Sequence, residues 1–197
     1  MALNTVENRQ ILINFFPKLA GDSVYYINSK TTPAYNCIAW AMGFDDRWVD
    51  PSLPDSDLAV KKWWPGGIAR NAHPNTLIEA FRKLGFTECE DDCTEEGFDK
   101  VALYKIQKNN FFTRTVIEEW THAAKVITPE KYHSKMGRLF DTYHRSGDVF
   151  EETSYGTVYQ FMKRRIEDRE ITERIKREEA DYQIPDNILE IIMSELD

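Results

Sequence analysis

Tyr35–Asn36–Cys37–Ile38–Ala39–Trp40–Ala41–Met42–Gly43 is the stretch around which the rest of the chain is read. Its pattern predicts a short buried helix that opens on a cysteine. Pro33 restricts the backbone upstream, Asn36 can cap the first turn, and Gly43 can end the helix in a left-handed conformation. A thiol in the first turn of a helix meets the positive end of the helix dipole and N–H groups without intrahelical partners, both of which favour thiolate. The same N–H groups could face an oxyanion forming on an attacked carbonyl. Cys37 is therefore read as a candidate nucleophile. The competing reading is a small apolar residue on a core helix.

Composition narrows the field. The 197 residues suit one domain plus a terminal extension. The formal net charge of -8, without a basic patch to offset it, argues against nucleic acid and anionic membrane as partners. Three cysteines make no disulfide framework. No basic leader opens the chain, and the apolar run Ile11–Phe16 is too short to span a bilayer, so a cytoplasmic protein is expected.

On either side of the cysteine stretch the pattern is helical first and extended later. A helix capped by Thr5 is predicted over 5–16, then a short strand over 23–28. The segment 44–67 carries Trp48, Trp63 and Trp64 with three prolines. It could line a groove beside Cys37 or fill the core with large rings. Pro74 begins a helix with Leu77, Ile78, Phe81 and Leu84 at helical spacing. Strands are predicted over 85–88, 98–106 and 111–117, with Asn109–Asn110 as a turn. A hairpin follows, from Trp120–Ile127 through Thr128–Pro129–Glu130 to Lys131–Gly137. This order implies an α+β domain, with helices on one side of an antiparallel sheet, over residues 1–162. Residues 163–197 read as a charged helical extension whose apolar end, Ile188 to Leu196, could bind a protein partner.

A cysteine nucleophile needs a base, and the base needs something to orient it. Of the four histidines, His122 is the candidate, on a predicted strand beside the small residues Ala123 and Ala124. A histidine merely satisfied within a sheet is the competing reading. Ser134 and Lys135 on the neighbouring strand are the nearest polar orienters, with Asp141 and His144 further on.

A helix-opening Asn36–Cys37, then Asp99–Lys100–Val101–Ala102–Leu103–Tyr104, then Thr121–His122–Ala123–Ala124, resembles the compact papain-like cysteine hydrolases of the NlpC and CHAP type. A closer resemblance is to a bacterial family without assigned function, over roughly residues 15–164. It is carried by Tyr35–Ala41, Trp63–Trp64–Pro65, Thr121–Ala124, Ser134–Gly137 and Tyr155–Gly156. The resemblance implies a papain-like fold and hydrolysis of a peptide or other amide substrate by a Cys37–His122 pair, with Ser134 or Lys135 as third member. Tyr35, Asn36, Trp63 and Trp64 would line the substrate site. Two departures from the NlpC pattern stand out: asparagine rather than aspartate precedes the cysteine, and the usual third position falls at His133 or Ser134. The alternative implied function is a catalytically inactive binding or regulatory module, in a toxin, immunity or defence setting.

Other sites carry weaker signals. His122, His133 and His144 are spaced 11 residues apart, which fits no compact zinc motif, and no metal or cofactor is expected. Cys89 and Cys93 lie in an acidic loop and read as incidental thiols more readily than as a redox or weak metal pair.

Overall fold

The computed structural model describes residues 3–52, 61–110, 114–145 and 147–180. Helix α1 (Val6–Phe15) begins where Thr5 Oγ1 accepts the Asn8 N–H at 3.2 Å, and Pro17 starts a short 3-10 turn. Strand β1 is only Tyr26–Ile27, because Asp22 Oδ1 takes the Val24 N–H and turns the chain before it can extend. Helix α2 (Cys37–Met42) has the expected caps: Asn36 Oδ1 accepts from Ala39 N, and Gly43 sits at φ 96°. Strands β2 (Trp48–Val49) and β3 (Lys62–Trp63) form a separate parallel pair. Helix α3 (Pro74–Arg82) is capped by His73 Nδ1, which accepts from Asn75 N.

The main sheet contains β1, β4 (Thr87–Cys89), β5 (Phe98–Asn110), β6 (Thr115–Thr128), β7 (Lys131–Lys135), β8 (Asp141–His144) and β9 (Thr157–Arg165). Its order is β1-β8-β7-β6-β5-β9-β4, and every pairing is antiparallel. Asn109 and Asn110 do not turn the chain. They pair with Val116 and Thr115, which lengthens β5 and β6 into a ribbon held by Lys105–Glu118 and Lys108–Glu119 ion pairs.

Helices cover both faces of the sheet, not one. The reason is visible in β5, where Val101, Ala102, Leu103 and Tyr104 are buried in succession. Val101 and Leu103 join Ala123 in a core with residues of α2 and α3, while Ala102 and Tyr104 join Ala124 in a core with α1.

The chain does not leave the domain after residue 162, because that point lies inside β9. A 3-10 turn then leads to helix α4 (Arg169–Ala180), which packs back on the core through Ile171 and Ile175. Buried Thr172 donates to Met42 O at 3.1 Å and accepts from Arg164 Nη1 at 2.9 Å. The expected partner-binding segment 183–197 lies outside the described residues. Among those residues no helix is long and apolar enough to cross a membrane.

Candidate active site

Two β-bulges shape the middle of the sheet. Tyr104 pairs with His122 while Lys105 pairs with Trp120, so Thr121 is the extra residue in β6; Tyr159 is the extra residue in β9. Bulges re-aim side chains locally. Here they flank a cleft of about 370 Å³ lined by Asn36, Cys37, Trp48, Trp120, Thr121 and Tyr155, among others.

Cys37 enters the cleft as the first residue of α2. Asn36 holds that helix end in place: its Oδ1 accepts from Ala39 N at 3.0 Å and Val49 N at 3.3 Å, and its Nδ2 donates to Val49 O at 2.9 Å. An aspartate here would set a carboxylate against the Val49 carbonyl, which accounts for asparagine at this position. Cys37 is 7% exposed, and burial pushes its thiol up to about 11. The N–H groups of Ala123, Ile38 and Cys37 itself, with the positive charge of Lys135, pull in the opposite direction. The thiol is therefore protonated at rest, with partners in place for a thiolate.

His122 is fully buried at the start of a polar chain. Its Nε2 lies 2.9 Å from Ser134 Oγ, which lies 2.8 Å from His144 Nε2. Ser134 has one hydroxyl proton, so at least one of the two imidazoles donates to it. If His122 donates through Nε2, its Nδ1 is an acceptor, and that atom is buried with no hydrogen-bond partner among the described residues. Burial, and then the neighbouring His144, hold the ring well below the usual histidine range, so it is neutral at physiological pH. Tyr155 lies on one face of the imidazole, and Tyr104 and Phe150 pack edge-on to it.

The expected residues thus separate into two groups. Cys37 packs with Ala123 on the α2 side of the sheet, whereas His122 shares the other side with Ser134 and Tyr104. The Cys37 side chain packs in one core cluster with Ala123, the residue that follows His122, and no hydrogen bond joins it to the imidazole. Tyr155 connects them, since it stacks on His122 and lines the cleft that holds Cys37.

Lys135 does not orient the histidine. It points to the opposite side of β7 from Ser134, and its ammonium donates to the carbonyls of Thr32, Gly137 and Leu139 at 3.1, 2.6 and 2.7 Å. That spends all three of its hydrogens on the backbone, although burial lowers it to about 8. Trp63 packs on Phe44, and Trp64 stacks behind Trp120, so the aromatic walls of the cleft are Trp48, Trp120 and Tyr155. Tyr35 stacks on Trp40 and donates to Asp141 Oδ2 at 3.0 Å, away from the cleft lining. Trp120 carried no site signal in the sequence, and Tyr155 entered only through the Tyr155–Gly156 motif of the family resemblance, without a role. What could have found Tyr155 is its place directly before Gly156, where the chain turns in at φ 73° against Lys105 O.

Among the described residues no group of three or more His, Cys, Asp or Glu side chains could hold a metal ion. Cys89 and Cys93 are both free thiols. No solved structure matches the chain. The model of a domain of unknown function, DUF7689, matches residues 26–163, and the chain therefore belongs to that family.

Proposed function

We propose that this protein is a papain-like cysteine hydrolase acting on an amide or related acyl bond. Cys37 attacks the carbonyl, its proton passes to His122 Nδ1, and the imidazolium returns it to the leaving group. The N–H groups at the start of α2 stabilise the oxyanion. The observation that carries the reading is the His122–Ser134–His144 chain, which ties down Nε2 and leaves Nδ1 without a partner. A neutral, oriented imidazole can serve as a base at Nδ1 when Nε2 carries the ring proton and donates to Ser134. At rest the Cys37 side chain and the His122 ring lie on opposite sides of the sheet, so this transfer requires the thiol to move from beside Ala123 and the Thr121 bulge and Tyr155 to open His122 to the cleft as substrate enters.

The test uses a Cys89→Ser/Cys93→Ser background, so that Cys37 is the remaining thiol. An acyl-type thiol probe at neutral pH should label this protein, and His122→Gln should cut the labelling rate about 100-fold, the scale of general-base catalysis. Equal labelling with and without Cys37→Ala would remove the proposal.

A second reading is a binding module without turnover. It is favoured by the burial of Cys37 and the upward push on its thiol. It predicts ligand capture that survives Cys37→Ala unchanged.

A further inference from the structure

A second cavity of about 510 Å³ lies at the other end of α2, between β5, β6, β9 and α4. Lys125, Arg164, Arg169 and Asp99 supply its charge, and Glu173 stands at the rim. Asp99 is committed to Arg169, with Oδ2 at 2.7 Å from its Nε, and stands 3.6 Å from Arg164 Nη2. Glu173 pairs with Lys176 at 3.3 Å. The Lys100 ammonium is held by Asp91 and Glu95 at 3.3 and 2.9 Å. Three cations therefore share one carboxylate within the cavity, which leaves an excess of two positive charges.

The excess rests on Lys125 and Arg164. Lys125 forms no ion pair or hydrogen bond among the described residues, and its Nζ lies 3.8 Å from the centre of the Trp40 ring. Arg164 is 3% exposed, and its Nε is buried without a hydrogen-bond partner. Burial brings the Lys125 ammonium down to about 8, with Asp99 and Asp141 drawing it up and Arg169 and Arg164 pushing it down. A cavity this size takes more than a bare ion, and Phe98 and Val101 offer apolar lining for the remainder of a ligand.

We propose that this cavity is a binding site for a small molecule carrying an oxyanion group, phosphate or carboxylate, held by the Lys125 ammonium and the Arg164 guanidinium that line it. The site is separate from the Cys37 cleft and does not depend on hydrolase activity.

The full chain is titrated with inorganic phosphate and, separately, with acetate at constant ionic strength. Heat is recorded together with tryptophan emission, to which Trp40 reports directly. The expected result is saturable one-to-one binding of at least one anion, weakened tenfold or more by Lys125→Met and unchanged by Lys108→Met on the exposed ribbon. The tighter of the two anions identifies the headgroup. Should Lys125→Met not fold, Lys125→Arg replaces it and is expected to bind within about threefold of wild type. Absence of saturable binding by wild type, or equal binding by Lys125→Met, overturns the proposal.

Discussion

The phenol ring of Tyr155 lies flat on the imidazole of His122, with centroids 4.1 Å apart and planes 11° from parallel. Thr121 Oγ1 donates to Tyr155 O at 2.5 Å, which ties the tyrosine to the bulge next to His122. The stack sets the ring plane and so the direction of Nδ1. Tyr155→Phe should leave turnover within about twofold, whereas Tyr155→Leu should lower kcat on the order of tenfold with a smaller change in KM. Comparing the two variants on one acyl substrate checks this. An equal loss in both would assign the effect to the hydroxyl rather than the stack.

Asn36 holds the α2 N-terminus through both atoms of its amide. Asn36→Ala removes the cap and leaves the buried Val49 backbone groups to find new partners, at a cost of about 2–3 kcal/mol. Asn36→Asp keeps the acceptor but faces the Val49 carbonyl with a carboxylate instead of a donor. It should be destabilising by at least 1 kcal/mol, despite the usual benefit of an acid at a helix start. Urea denaturation of the three proteins measures both. An aspartate variant as stable as wild type would contradict the hydrogen-bond assignment.

Two buried histidines give the fold a pH dependence of definite sign. Burial, then Lys125, lowers His133 to about 4, and burial lowers His122 further below its ordinary value. Both rings bind protons more readily in the unfolded chain. The stability they contribute is present above about pH 6.5 and is lost as pH falls toward the folded-state values. His133 alone accounts for about 2 kcal/mol lost between pH 7 and pH 5. His122 adds to the loss, while Asp141, whose carboxyl burial pushes up, acts in the opposite sense at lower pH. Denaturation midpoints at pH 7, 6 and 5 should fall progressively, and the fall should shrink in His133→Phe.

Gly156 approaches the backbone too closely for any side chain. A Cβ built there would lie 2.1 Å from Lys105 O, and φ is already 73°. Gly156→Ala should cost about 3 kcal/mol or more from strain and overlap together. Thermal unfolding gives the loss, and a shift below about 1 kcal/mol would mean that the turn before β9 is not built as described.

Much of the fold was readable locally. Thr5, Asn36, Gly43 and Pro74 mark helix ends through bonds and dihedral preferences that involve a few neighbouring residues. The hairpin at Thr128–Pro129–Glu130 was readable for the same reason. The Asn109–Asn110 signal failed because cross-strand pairs along β5 and β6, rather than local turn preference, decide where that ribbon ends. The boundary after residue 162 failed because charge density marks exposure along a helix, while the inward side of α4 carries Ile171, Thr172 and Ile175 onto the core.

The site divides along the same line. By itself the sequence determined that a cysteine opens a capped helix and that a histidine lies on a strand beside two alanines, since both depend on neighbours in the chain. Only the tertiary structure decided which polar group accompanies each. Side chains alternate along a strand, so adjacent Ser134 and Lys135 face opposite sides of the sheet. Ser134 meets His122 and His144, while the Lys135 ammonium is taken up by three carbonyls. The same alternation sets Cys37 against Ala123 rather than the His122 ring, a consequence of register and bulges that no local pattern contains.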